Sequence, residues 1–442
     1  MFLSVHVKNF KSLINFRIDL AERKNSSKHL ALIYGENGSG KTNVVSIFHS
    51  LIETLHTMGF KKFFEDILAH EDFKESPPKL MKLLHSRFKD LETIIKENKT
   101  IGTKENLCLK FEFQIDGNIG IYTLEFDEEK VIHEKLEYLI EKNRGVFFEL
   151  TADSNYFSPK MFNSKEYLEE ISSQAKKFWG KHTLISILMF EIGEKNEKYF
   201  RDNVNTNLQD VLKFFNTLAC KVNDGSRGEH GFYAMNLPLD GNFLEGEVES
   251  SNANELDKVE EILTNIFSGL YSDIKRLYYI KERIDDQNVK YELYVKKMIG
   301  SKVRDIPFKL ESTGTLKILE LLPPLLMAMQ GNTVILDEFD AGIHDILIKS
   351  IFEELSESLE GQLIMTTHNT LLLESDVENK HLYILKVDMD GNKEIHSLDK
   401  YDLRAHKNNN RRSQYLKGMY DGIPLVGYLD FSMVADQLRN PD

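Results

Sequence analysis

Cysteine is almost absent: Cys108 and Cys220 are the only two among 442 residues, each inside an apolar segment. That excludes a disulfide framework and the spacing of a zinc site, and it predicts packed thiols in a reducing compartment. Long hydrophobic runs are missing too. The longest, Leu184 to Phe190 and Leu321 to Met329, are interrupted by Ser186 and by Pro323 and Pro324. Both fall far short of the ~20 residues that cross a bilayer. The opening MFLSVHVKNFK has no basic segment before an apolar core. The expectation is a soluble, cytoplasmic protein with no membrane partner. Positive charge is also short, with 56 Lys and Arg against 70 Asp and Glu and a net charge of −14. Such a chain repels nucleic acid on average, so DNA binding would require a local basic surface. There is no internal repeat or low-complexity tract, and no heptad pattern is sustained, which argues against a long coiled-coil arm. What remains is ordinary globular material, 41% apolar and 29% charged, enough for about two or three domains.

Within it, Gly35-Glu36-Asn37-Gly38-Ser39-Gly40-Lys41-Thr42 fits the P-loop pattern at every position. Ahead of it HLALIY, His29 to Tyr34, reads as a short apolar strand. Behind it Val44, Val45, Ile47, Phe48, Leu51, Ile52 and Leu55 recur at helical spacing. Strand, glycine loop and helix N-terminus make an anion cradle, because successive N–H groups and the helix dipole converge on one point. Lys41 supplies an ammonium for the phosphates of a nucleoside triphosphate, and the Thr42 hydroxyl a ligand for Mg²⁺.

Around this centre the chain is read in blocks. Leu3, Val5 and Val7 alternate, as do Ile14, Phe16 and Ile18 after the Asn9–Ser12 corner, which predicts two antiparallel strands before a polar loop from Ala21 to Lys28. Asn43 to about Lys99 reads as helix, broken at Ser76-Pro77-Pro78. Leu107 to Ile115 and Tyr122 to Phe126 alternate around Asp116-Gly117-Asn118 and predict a hairpin, which Val131–Tyr138 and Val146–Leu150 extend. Tyr156 to Val222 reads as helical, and Asn223 to Asn254 as a loop or link. Ile274–Ile284 and Val289–Ile299 read as strands joined by a polar turn. Near the C-terminus Thr333–Leu336 and Leu363–Met365 are apolar on both faces, with an amphipathic helix between them that Gly361 caps. That is the mark of a parallel sheet covered on both sides. Lys386 to Lys393 reads as a closing hairpin.

Three further motifs carry chemistry. Val334-Ile335-Leu336-Asp337-Glu338 places two carboxylates at the tip of a buried parallel strand, the edge where α/β sheets bind ligands. Asp337 is the candidate Mg²⁺ ligand of a Walker B motif, and Glu338 the candidate base that orients or deprotonates water. Thr366-Thr367-His368-Asn369 follows the next strand, so His368 reaches the same edge and can donate to a γ-phosphate. Glu311-Ser312-Thr313-Gly314-Thr315 opens an apolar helix, and Ser312 with Gly314 at its N-terminus makes a second phosphate-seeking end. One nucleotide cannot use two such ends of one sheet, which points to a homodimer in which this end closes on the partner's nucleotide.

This order of motifs resembles the ABC-type ATPase heads of the SMC, RecF and Rad50 class. The wording is closer still to the bacterial AAA15/AAA21 branch related to the overcoming-lysogenization-defect ATPases. The matching stretches are NFKSL at Asn9–Leu13, GENGSGKTN at Gly35–Asn43, ESTGT at Glu311–Thr315, LDEFDAGIH at Leu336–His344, TTHN at Thr366–Asn369 and YLKGMYDGIP at Tyr415–Pro424. The resemblance implies an α/β fold, a P-loop parallel sheet plus an antiparallel β lobe with an inserted, mainly helical domain. It divides the chain into 1–150 and 273–400 for the two parts of the head, 151–272 for the insertion and 401–442 for a tail. It also implies that Lys11, Gly35, Asn37, Gly38, Ser39, Gly40, Lys41, Thr42 and Asn43 bind nucleotide, joined by Ser312, Gly314 and the D-loop residue Asp340. His344 would sit beside Asp340. Glu338, His368 and Lys41 would be catalytic, with Thr42 and Asp337 on the metal.

Departures are visible. The signature reads STGT where transporter ATPases carry SGGQ, and Gln114, the nearest candidate for a Q-loop glutamine, lies inside a strand. No appended nuclease is expected, because the single D-x-D, Asp388-Met389-Asp390, precedes a glycine in a hairpin. Arg404, His406, Lys407, Arg411, Arg412 and Lys417 form a basic island, read first as a salt-bridging surface and second as a phosphate or acidic-partner contact. The functional expectation is an ATP- and Mg²⁺-dependent homodimer, or a higher oligomer, serving a bacterial anti-phage or abortive-infection system. It would act with a separate effector nuclease and a phage-derived trigger. The alternatives are a RecF-like DNA-repair clamp and a nucleotide-dependent scaffold with little turnover.

Overall fold

The computed structural model describes residues 1–23, 25–69, 89–195, 197–223, 229–232, 237–401, 410–423, 431–433 and 435. Its centre is a seven-stranded sheet in the order Glu229–Phe232, Ala219–Asn223, Thr333–Leu336, Gln362–Thr366, Leu30–Gly35, Leu382–Val387, Lys393–Ser397. The five inner strands run parallel and the two edge strands antiparallel.

Alternation of side chains across a strand sends successive residues into two different cores. Ala31, Ile33, Cys220, Ile335, Ile364 and Leu385 enter one, with the P-loop helix Lys41–Ala69 and the antiparallel lobe. Leu32, Tyr34, Val334, Leu336, Met365 and Ile384 enter the other, with the helix Thr313–Met329 and the second, smaller sheet. This two-sided burial is why the strands read as unbroken apolar runs.

The antiparallel lobe is also seven-stranded, in the order Asn155–Phe157, Arg144–Thr151, Val131–Leu139, Asn118–Phe126, Leu107–Ile115, Phe2–Phe10, Leu13–Asp19. The expected hairpins form, and the Asp116-Gly117 turn has φ of 48° and 79°, the left-handed pair that suits a tight two-residue hairpin. The helices Lys165–Phe178, Leu184–Glu194 and Thr206–Asn216 bury Tyr167, Ile171, Leu188, Val211 and Phe215 in the same core as this lobe. Glu134 fixes one of them. Its carboxylate is fully buried and accepts from Tyr122 Oη at 2.8 Å, Leu184 N at 2.6 Å and Ile185 N at 3.2 Å, two N–H groups of a helix start. Burial pushes its pKa up to about 7 against those three donors.

Four local expectations are corrected. Helix does not continue to Val222: Ala219–Asn223 is a strand paired in parallel with Thr333–Leu336. The link after it contains the edge strand Glu229–Phe232 and the strand Glu245–Glu249 of the smaller sheet. The polar loop before the P-loop strand carries a short hairpin, Ala21–Arg23 with Ser26–Ser27. Gly361 is not a helix cap; the helix Asp345–Ser358 ends at Leu359. A Cβ on Gly361 would lie 2.0 Å from Asn332 O, so the glycine serves a close backbone approach. The Ser76-Pro77-Pro78 break lies outside the described residues. Among the described residues no helix is long and apolar enough to cross a membrane.

Candidate functional site

The parallel strands end on one edge, and the P-loop, Asp337, Glu338, His368 and Asn223 all follow from those ends. Gly38 and Gly40 have φ of 81° and 105°, which an L side chain rarely adopts, so the loop can turn its amides inward. Lys41 is buried, and its Nζ donates to the carbonyls of Gly35 at 2.9 Å and Glu36 at 3.1 Å, inside the curve of the loop. Burial lowers its pKa to about 8, with Glu338 and Asp337 opposing the shift. Asn37 is exposed at the loop tip, and Ser39 Oγ is buried with no hydrogen-bond partner. Lys11 Nζ donates to Ser46 Oγ at 3.0 Å and Asn43 Nδ2 to Ser12 Oγ at 2.8 Å, tying the hairpin corner to the first turns of the P-loop helix.

Asp337 is 6% exposed, and its Oδ1 accepts from Thr366 Oγ1 at 2.6 Å. Its other oxygen, Oδ2, is buried with no partner. Burial pushes the pKa of this carboxyl up, and Thr366 and then Thr42 pull it back. Glu338 has φ of 45°, a strained conformation for a side chain of this kind, and its N–H donates to the same Thr366 hydroxyl at 2.8 Å. Its carboxylate sits between two groups: Asn223 Nδ2 donates to Oε2 at 2.9 Å, and His368 Nε2 lies 3.8 Å from Oε1. Burial and the Lys41 charge lower the His368 pKa, with the Glu338 charge opposing them.

The signature end is part of this chain's surface. Ser312 is exposed and caps the helix Thr313–Met329, accepting from Thr315 N at 3.2 Å. A Cβ on Gly314 would lie 2.9 Å from the Gly342 carbonyl, so this helix end rests directly on the D-loop. Asp340, in that loop, has its pKa raised by burial and drawn back by the Thr367 hydroxyl. His344 caps the following helix through Nδ1. Gln114 pairs with Ile119 in the antiparallel lobe. Asp388 Oδ1 accepts from Asp390 N and Asn392 N, the turn expected for the D-x-D. Of the basic island, Arg404, His406 and Lys407 lie outside the described residues, whereas Arg412 pairs with Glu374.

Sequence reasoning missed Asn223 and Thr366. Asn223 opens the stretch that reads as a link but ends the strand Ala219–Asn223, and no motif surrounds it. Thr366 belongs to the TTHN stretch, but its contacts with the Asp337 carboxylate and the Glu338 backbone N–H arise from strand register.

Among the described residues no group of three or more His, Cys, Asp or Glu side chains could hold a metal. The residues fit instead an ion that shares its shell with phosphate: one buried carboxylate oxygen without a partner, beside the first hydroxyl of the P-loop helix. Mg²⁺ is commonly held this way, by one or two protein ligands plus phosphate and water.

The folded chain can be set beside solved structures. An SMC head domain from Thermotoga maritima is 14% identical with a TM-score of 0.39, covering 90% of this chain and 98% of that one. The Smc head domain bound to the C-terminal domain of ScpA, from Pyrococcus furiosus, is 15% identical with a TM-score of 0.41, covering 90% and 97%. The recombination mediator protein RecF is 12% identical with a TM-score of 0.37, covering 90% and 98%. No curated protein matches the chain. A family model described as "AAA domain, putative AbiEii toxin, Type IV TA system" matches residues 30–374, from the P-loop strand past His368. The chain belongs to this AAA family.

Proposed function

We propose that the chain binds and hydrolyses ATP as its Mg²⁺ complex, in a homodimer whose sites are each closed by the Ser312–Gly314 end of the other protomer. One observation carries this reading: a buried, unpartnered oxygen of Asp337 lies beside the P-loop, with Glu338 held between Asn223 and His368. Mg²⁺, held by Thr42 and Asp337, would neutralise charge on the phosphates. Lys41 binds phosphate oxygens, and its partly desolvated ammonium interacts with them more strongly than one in water. Glu338 orients the attacking water and takes its proton; the Asn223 amide and the Thr366 hydroxyl fix the direction from which it does so. His368 donates one hydrogen bond to the terminal phosphate. Glu338→Gln keeps the shape and removes the base, so ATP binding should persist while turnover falls by at least 100-fold. Undiminished turnover would refute the assignment.

We place this ATPase in a bacterial anti-phage or abortive-infection system, with a separate effector nuclease held or released by nucleotide state. The helices between 165 and 216 would be its recognition or oligomerisation element. The family description, which names a putative toxin, supports that setting. Phage plating on cells carrying the gene with its neighbours tests it: protection should be lost with Glu338→Gln and kept in the unmutated system.

A further inference from the structure

We propose that Asn410–Ile423 is a latch on the segment carrying His368, and that Arg411 and Arg412 are positioning residues for that histidine. The inference rests on the ATP site proposed above and adds a control element to it.

The chain after His368 turns at Asn369 into the short helical turn Thr370–Glu374. Arg412 Nε donates to Thr370 Oγ1 at 3.1 Å, and its Nη1 lies 3.5 Å from Glu374 Oε1. Asn410 Nδ2 donates to the same Glu374 oxygen at 3.3 Å. The Arg411 guanidinium donates to the carbonyls of Ser375 and Val377, just past the turn. Five side-chain contacts from three consecutive residues therefore fall within ten residues of His368. Carbonyls at the end of a helical turn have no partner of their own, and a charged donor binds them more firmly than a neutral one.

The same segment reaches the other flank of the site. The Tyr415 ring lies 5.7 Å from that of Tyr34, the residue before Gly35, and Tyr34 Oη donates to Asn369 O at 3.3 Å. Tyr415 Oη in turn donates to Gly422 O at 2.9 Å. A Cβ on Gly422 would lie 2.4 Å from Ile384, so that end is seated on the strand beside the P-loop strand. One end of the tail is thus anchored on the sheet, and the other grips the turn after the histidine. His368 cannot shift along the strand axis without moving Thr370 and loading the Arg412 contacts.

The test uses the full chain with Arg412→Ala, Arg412→Lys, Thr370→Val and the Arg412→Ala/Thr370→Val pair. Steady-state ATPase kinetics are read alongside hydrogen exchange of residues 370–377 and 410–420, with and without Mg²⁺-ATP. Loss of a charge-assisted contact should lower kcat about tenfold in Arg412→Ala, with KM within twofold. Arg412→Lys should recover most of it, and the double variant should cost little more than either single change. In the unmutated chain the two stretches should gain protection together when ATP binds. In Arg412→Ala the tail should not respond. The latch is overturned if kcat stays within twofold, if KM alone rises, or if the tail's exchange is indifferent to nucleotide. Should the unmutated chain bind ATP without turning it over, the hydrolysis reading fails while the exchange result still decides the latch. Thr370→Val alters the contact from the other side, so the question stays answerable if Arg412→Ala does not fold.

Discussion

Thr366→Val isolates the hydroxyl that links the Asp337 carboxylate to the backbone N–H of Glu338. Valine keeps the outline and β-branched preference of threonine, so the buried strand Gln362–Thr366 should persist. Two bonds are lost: the 2.6 Å donation to Asp337 Oδ1 and the 2.8 Å acceptance from Glu338 N. A hydrogen bond to a charged group contributes about 1.5–3 kcal/mol, and an orphaned buried N–H costs about 1–3 kcal/mol. The first loss bears on metal binding, because Thr366 holds one oxygen of Asp337 so that the other faces the Thr42 side. Partners of this kind typically alter metal affinity by about 10–100-fold. Burial already raises the Asp337 pKa, and Thr366 is the leading group that lowers it. Its removal lets protons compete better with the ion at mildly acidic pH. ATPase rate should be measured against free Mg²⁺ at saturating ATP, at pH 6 and pH 8. The half-saturating Mg²⁺ concentration should rise by about 10–100-fold, and more at the lower pH. A value within twofold of the parent at both pH values would refute the reasoning.

Two other outcomes follow from the same geometry. Asn223→Ala removes the amide that holds Glu338 Oε2, so kcat should fall about tenfold with ATP affinity unchanged; stopped-flow nucleotide binding beside steady-state turnover separates the two. Glu134 has its folded pKa raised from 4.5 to about 7, so its contribution is present below pH 4.5 and is lost as pH rises through 7. Across that window Glu134→Gln should flatten the pH dependence of unfolding free energy by about 3 kcal/mol in denaturant titrations; an unchanged slope would contradict the burial argument.

What could be read in advance was what the chain encodes locally. The P-loop is specified by glycines whose φ values its turn requires, and Asp337-Glu338 by the three apolar residues before it, Val334 to Leu336. The strands Leu107–Ile115 and Asn118–Phe126 announced themselves by alternation. Ala219–Asn223 did not. It is five residues long and follows a helix whose Phe215 continues the apolar spacing into Leu218, so only pairing with Thr333–Leu336 makes it a strand. Asn223 was hidden for that reason. Gly361 misled because a glycine after a helix has two physical meanings, and the nearby Asn332 carbonyl, invisible in sequence, selects the second. Arg411 and Arg412 read as surface charge; their bonds to Ser375, Val377 and Thr370 depend on how the tail folds back.

Closure of each site by the other protomer is the central claim, and inter-chain cross-linking tests it most directly. Asn37→Cys and Ser312→Cys are made in separate Glu338→Gln chains, both at exposed positions. The native thiols offer little background, with Cys220 buried and Cys108 partly so. A short bismaleimide should join the two proteins into a species twice the 51.2 kDa chain mass. That product should depend on Mg²⁺ and ATP and be absent from mixtures of either chain with the parent. No such species, or the same yield without nucleotide, would contradict the account.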